Sequence, residues 1–173
     1  MKIVLLGYMG SGKTTVGKRL SVLTGLPYVD LDHYIEEKEN LTISEIFNKK
    51  GEIYFRKKEA TYLFDLLVSK EKIILSTGGG TPCYGNVMQR LVVFPETITL
   101  YLNCSVQTLT KRLWKEKKHR PLIAHLESKL LLNDFIRKHL FERAYFYNQA
   151  KITIKCDDLK EQEITEKILL QLL

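Results

Sequence analysis

Cysteine is scarce. The 173 residues hold three, Cys83, Cys104 and Cys156, too few and too scattered for a disulfide framework or a zinc-ligand spacing. They read as small, partly buried side chains of a chain kept in a reducing cytoplasm. Long apolar runs are also missing. None approaches the ~18 residues that would suggest a membrane span, and the opening MKIVLLGYMGSGK breaks into glycines with no cleavage-like site, so no signal peptide is expected. There is no internal repeat, no low-complexity tract and no Pro- or Ser-rich linker, with only 4 Pro and 10 Gly in the chain. A collagen-like chain, a repeat array and a largely disordered chain are thereby excluded. Acidic residues are in deficit, 20 against 27 Lys and Arg, for a formal charge of +7. That balance favours anionic partners without separating nucleic acid from a small phosphorylated ligand. The single Trp, Trp114, stands without aromatic neighbours in the most basic stretch, so no base-stacking platform is present and nucleic acid is not the expected partner.

What is there suits one compact α/β domain of ordinary size. Five short apolar runs read as strands: Lys2–Leu6, Pro27–Asp30, Lys72–Ser76, Thr97–Leu102 and Lys151–Lys155. Only the last alternates clearly, which predicts an edge strand with one wetter face. Helical spacing marks Thr14–Thr24, Val106–Lys118, Leu126–Tyr147 and Glu161–Leu172. Strands alternating with helices argue for a parallel sheet covered on both sides. Two stretches stand outside this rhythm. His33–Ser69 is helical with a break at Gly51, and Trp114–Leu126 opens on a basic run ended by Pro121, the pattern of a mobile excursion.

The most specific motif is Gly7-Tyr8-Met9-Gly10-Ser11-Gly12-Lys13-Thr14, which satisfies G-x-x-x-x-G-K-[ST] between an apolar run and an amphipathic helix. Its glycines let backbone N–H groups turn inward around an anion, where the positive end of the next helix also points. Lys13 can reach the β- and γ-phosphates, and the Thr14 hydroxyl can ligate Mg²⁺. The motif predicts nucleotide binding but not the reaction. Asp30-Leu31-Asp32 ends the second strand at the sheet edge where open α/β proteins bind ligands. Asp30 is assigned to the metal side and Asp32 to a substrate hydroxyl, whose proton it can accept. The alternative for Asp32 is a helix N-cap.

Arg56, in Gly51-Glu52-Ile53-Tyr54-Phe55-Arg56, and Arg143, in Phe141-Glu142-Arg143-Ala144-Tyr145-Phe146-Tyr147, are framed by aromatics. Arg is the usual choice where a planar anion must be oriented, although a solvated helix face also explains Arg56 and pairing with Glu142 or a nearby carboxylate also explains Arg143. Gly78, Gly79 and Gly80 follow the third strand and permit close approach of backbone to ligand. No acidic residue accompanies them, so a Mg²⁺ shell must lean on Thr14, Asp30 and water. In the stretch Lys111–Pro121, six Lys and Arg face the lone Glu116. Arg120 could close over ATP and neutralise transferring charge, and Arg112, at the root, could cover the adenine.

In this order and within this length, Gly7–Thr14, Asp30-Leu31-Asp32, Gly51–Arg56, Gly78–Gly80, Arg120-Pro121-Leu122 and Arg143 with Tyr147 resemble shikimate kinase nearly end to end. The resemblance implies an α/β P-loop fold of the nucleoside-monophosphate-kinase group: a three-layer sandwich around a five-stranded parallel sheet of order 2-3-1-4-5. It implies a helical substrate-binding insertion at residues 33–61 and a lid at 112–125. The reaction implied is transfer of the ATP γ-phosphate to the 3-hydroxyl of shikimate, on the way to chorismate and the aromatic amino acids. By matching position, Asp32 would be the base, with Lys13 and Arg120 at the transferring phosphate. Arg56 and Arg143 would grip the shikimate carboxylate beside Gly78, Gly79 and Gly80. Gly10, Ser11, Gly12, Lys13, Thr14, Thr15, Arg112 and Arg120 would hold ATP, and Thr14 and Asp30 would organise Mg²⁺. A monomer with a small-molecule substrate is expected. The chain departs from the family after Tyr147, where Asn148 stands in place of the usual acidic residue. Gluconate kinase is the nearest rival, and a partner-regulated P-loop ATPase is the rival from another class.

Overall fold

The computed structural model describes all residues, Met1–Leu173. Five strands, β1 (Lys2–Leu6), β2 (Tyr28–Asp30), β3 (Ile73–Ser76), β4 (Thr97–Asn103) and β5 (Ile152–Lys155), form one parallel sheet in the order β2-β3-β1-β4-β5. Helices α1 (Lys13–Thr24), α2 (Leu31–Glu39), α3 (Ile43–Lys50), α4 (Glu52–Ser69), α5 (Val87–Val93), α6 (Val106–Glu116), α7 (Lys129–Tyr147) and α8 (Glu161–Leu172) flank it. This is the α/β fold and the strand order that the resemblance implies.

The inner strands are continuous apolar runs because both their faces are covered. Every residue of β1 and β3 is buried. β5 lies at an edge, and its exposure varies along the strand in keeping with the alternation in its sequence. β1 sits between β3 and β4, so the chain leaves it toward β2 and later returns to the other side. That reversal opens a crevice at the carboxyl end of β1, the usual ligand position in open α/β sheets. The loop after β1 occupies it.

Residues between β2 and β3 form α2, α3 and α4 with no strand, and Gly51 breaks α3 from α4 at φ +85°. These three helices are tied by one carboxylate. Glu39 accepts from the hydroxyls of Tyr62 at 2.6 Å and Tyr54 at 2.7 Å, and from Lys50 Nζ at 3.1 Å. The two phenols, Tyr62 foremost, hold its carboxyl down at about 2.

Several boundaries differ from the sequence pattern for local reasons. α2 starts at Leu31 because Asp30 caps it, its Oδ1 accepting from His33 N at 3.3 Å. Asp30 is therefore the N-cap, not Asp32, which lies within the first turn. α7 begins at Lys129 rather than Leu126, since Ser128 accepts from Leu131 N. α6 stops at Glu116 and tightens into a 3-10 turn over Lys117–His119. The short α5, whose seven residues lack a long periodic face, goes unread in the sequence.

Gly17 shows how closely α1 packs. A Cβ there would come within 2.9 Å of Tyr28 Cδ2, closer still to Cε2, and 3.1 Å from Leu5 Cδ1. Gly to Ala in a helix ordinarily gains up to about 1 kcal/mol. Here overpacking costs about 1–3 kcal/mol and reverses the sign. Gly17→Ala should lower the melting temperature by several degrees in calorimetry; an unchanged or raised value would refute the contact.

Candidate active site

The loop from Gly7 to Gly12 delivers α1 with its amino end open. Gly12 is the N-cap at φ +95°, a conformation other residues rarely adopt, and no side chain caps the helix. The first-turn N–H groups have no acceptor within the helix, which makes this terminus a ready anion site. Lys13 folds back over the loop, its Nζ donating to Gly7 O at 2.6 Å and Tyr8 O at 3.1 Å. Burial lowers its pKa to about 8, against the pull of Asp32 and Asp30.

A cavity of about 550 Å³ runs along this loop. It gathers Gly10–Thr15, Asp30, Asp32, Gly78, Gly79, Arg112 and Arg120, with Leu159 and Ile164 as apolar wall. Arg112 donates from Nη1 to Gly10 O at 3.2 Å. Arg120 is bound to Glu116 through Nη2 at 2.7 Å and Nε at 3.0 Å. Thr14 Oγ1 donates to Asp30 Oδ2 at 3.3 Å, placing a hydroxyl and a carboxylate side by side. Such hard oxygen donors, with room for water, fit the needs of Mg²⁺. Asp30 thus serves two ends, capping α2 with one oxygen and facing Thr14 with the other. Tyr28 donates to Ser76 Oγ at 3.1 Å, and Ser76 donates to Lys13 O, tying the strand ends beneath the site.

Asp32 is the electrostatically stressed group. Burial, with Glu59 and Asp30 nearby, raises its carboxyl to about 6, and Lys13 only partly offsets this. A carboxyl titrating near working pH suits proton transfer.

The glycine turn borders this cavity and abuts two arginines that line a second one. A Cβ on Gly78 would lie 3.0 Å from Asp32 Oδ1, one on Gly79 3.0 Å from Arg143 Nη1, and one on Gly80 2.8 Å from Arg56 Nη2. Tyr147 OH donates to Gly79 O at 2.5 Å. The second cavity, about 540 Å³, includes Arg56, Arg143, Phe47, Tyr84, Leu122 and His139. The sequence-derived site residues therefore fall around two spaces: Arg56 and Arg143 around one, the others around the phosphate loop or the glycine turn.

Two partners were not legible. Glu59 is buried, accepting from Arg56 Nη1 at 2.8 Å and from Thr81 Oγ1 at 2.8 Å. Its place three residues after Arg56 on a helix is a pairing signal that could have found it. His139 had no such signal. Arg143 makes no salt bridge, so pairing with Glu142 does not account for it, whereas Arg56 both pairs and faces the cavity.

The comparisons with known proteins fall on this geometry. The family model described as shikimate kinase matches residues 9–173. The chain belongs to the shikimate kinase family. A shikimate kinase of Flavobacterium johnsoniae is 45% identical over 171 residues, covering 97% of this chain and 96% of that protein. The structure of shikimate kinase from Bacteroides thetaiotaomicron superposes with TM-score 0.91 at 35% identity, covering 99% of this chain and 98% of the other. That of shikimate kinase from Acinetobacter baumannii in complex with shikimate gives 0.82 at 33% identity, covering 99% and 92%. The family departure at Asn148 is local: this residue closes α7 with its N–H on Ala144 O and Phe146 O, one turn past Arg143. It leaves the Tyr147–Gly79 hydrogen bond in place.

The raised pKa of Asp32 has a consequence for this shikimate kinase family member. The folded value, about 6, lies above the ordinary 3.8, so the folded state holds the proton more tightly than the unfolded chain. Stability from this group is full below about pH 4 and is lost as pH rises through 6. Asp32→Asn should therefore stabilise the protein at pH 8 by on the order of 1–3 kcal/mol, and the gain should vanish toward pH 4. Urea unfolding at the two pH values checks this; an equal gain at both would contradict the buried charge.

Proposed function

We propose that the protein transfers the γ-phosphate of ATP to the 3-hydroxyl of shikimate, giving shikimate 3-phosphate and ADP. The observation that carries this reading is the glycine turn, which brings a carboxyl titrating near 6 and two guanidinium groups to the edge of a phosphate loop. Shikimate is a small carboxylate bearing hydroxyls, so it needs an anion clamp at one end and a base at the other. Arg56 and Arg143 supply the clamp. Asp32 accepts the proton of the attacking hydroxyl.

Gly10, Ser11, Gly12, Lys13, Thr14 and Thr15 cradle the phosphates of ATP, and Arg112 with Leu159 encloses the adenine end. Thr14 and Asp30 would hold Mg²⁺, which would supply charge neutralisation at the phosphates. Lys13 and Arg120 stabilise charge developing on the transferring group. Residues 33–61 carry the acceptor side. Residues 112–125 act as a lid, Arg120 facing the nucleotide and Leu122 the acceptor, so that closure excludes water from both. No helix is long and apolar enough to cross a membrane. A monomer in the cytoplasm, a compartment suited to three free cysteines, completes the proposal.

A coupled ADP-release assay with Mg-ATP tests it, using shikimate, gluconate, nucleoside monophosphates and no acceptor. Release should depend on shikimate. Turnover with gluconate instead would replace the substrate, and acceptor-independent hydrolysis would favour a regulatory ATPase. In the same assay Asp32→Asn should lower kcat by roughly 10²–10⁴. Arg56→Lys should chiefly raise the shikimate KM, because a point charge replaces a planar fork. Near-normal constants in either variant would remove that residue from its role.

A further inference from the structure

Tyr8 lies inside the phosphate loop, between Gly7 and Met9, with 1% of its surface exposed. A buried phenol is costly unless its hydroxyl is paired. The partner is Nδ1 of His139, 2.9 Å away on α7. The two rings meet edge to face at 5.4 Å, and Phe135 packs edge-on to the same imidazole, also at 5.4 Å.

This pairing decides which nitrogen of His139 carries the proton. Tyr8 Oη has no other hydrogen-bond partner. If Nδ1 donated, the phenol hydrogen would be left buried without an acceptor. Tyr8 therefore donates to Nδ1, and the proton of the neutral ring sits on Nε2. Burial, and then the Arg143 charge, lower the pKa of His139 against a smaller opposite effect of Glu142, which keeps the ring neutral.

Nε2 makes no hydrogen bond within the protein, and His139 borders the same 540 Å³ cavity as Arg56 and Arg143. It stands four residues before Arg143, one turn along the same helix face. Arg56 commits one arm, Nη1, to Glu59. An acceptor carboxylate has about four lone-pair sites, so the clamp leaves room for a further donor.

We propose that His139 is a third acceptor-binding residue, its Nε2–H donating to the acceptor carboxylate, with Tyr8 fixing the tautomer and orientation that this requires. The inference rests on reading this cavity as the acceptor site of the proposed kinase. It also links the two substrates, because the residue that orients His139 belongs to the loop that would cradle ATP.

Three variants separate the two nitrogens. His139→Asn keeps an oxygen near Nδ1 for Tyr8 but removes the outward donor. His139→Gln places an amide near Nε2 but gives up the bond to Tyr8. Tyr8→Phe removes only the hydroxyl. His139→Asn should raise the shikimate KM about tenfold, the scale of one hydrogen bond to a charged group, while the ATP KM moves less than twofold. His139→Gln should recover part of that loss, and Tyr8→Phe should give a smaller rise in the same constant. A merely structural role would instead move both KM values together, with no advantage for Gln. Nitrogen-15 spectra of the histidine rings, assigned by the signal lost in His139→Asn, should show the Nε2–H tautomer and a shift of Nε2 on adding shikimate. An unchanged shikimate KM in His139→Asn, or an Nδ1–H tautomer, overturns the proposal. Wild-type turnover distinguishes its failure from that of the parent reading: if the wild type phosphorylates shikimate and His139→Asn matches it, only His139 is displaced. If the wild type ignores shikimate, the acceptor assignment falls and the inference with it.

Discussion

Gly78, Gly79 and Gly80 lie where three side chains compete for the same small volume. Asp32 arrives from α2, Arg56 from α4 and Arg143 from α7, and each comes within 3.0 Å of where a glycine Cβ would stand. Any side chain on this turn would displace a proposed base or a proposed clamp. α2 and α4 are already tied to each other through Glu39, but α7 comes from a distant part of the chain. They converge because the backbone after β3 is bare. The hydroxyl of Tyr147 on Gly79 O and that of Thr81 on Glu59 then fasten the turn to α7 and α4.

Two groups beside this turn, Asp32 and Lys13, are held away from their ordinary strength. Burial alone would make Asp32 a weak acid and Lys13 a weak ammonium, and each partly rescues the other. The outcome is a carboxyl near 6 and an amine near 8, both titrating close to neutrality. Asp30, by contrast, is satisfied from two sides, by the α2 amino end and by Thr14. Two carboxylates separated by one residue thus acquire different surroundings from position alone, which suits the proposed division between metal and proton.

The parts of the molecule readable from sequence were those governed by local rules. The phosphate loop is legible because eight consecutive residues carry it, and the strands because their apolar runs are continuous. The alternation of Lys151–Lys155 identified an edge. Tertiary partners were less visible. Glu59 looks like an ordinary helix-face carboxylate until α4 is packed and the residue is buried. His139 falls in a helix with no second imidazole to mark it, and its meaning comes from Tyr8, 131 positions away. The capping role went to Asp30 instead of Asp32 because the strand ends one residue before the helix begins, a boundary that sequence patterns locate only to within a few residues.

The carboxylate of Glu39 ties α2, α3 and α4 with two phenols and one ammonium. Asp32 rides on α2 and Arg56 on α4. The segment is therefore a single tile, and the spacing between the proposed base and the Arg56 half of the proposed clamp is built into it. Arg143, the other proposed guanidinium, stands on α7, outside the tile. Displacement of the tile would therefore change the span between the two guanidinium groups together with the distance from Asp32 to the phosphate loop, so that grip and approach are mechanically coupled.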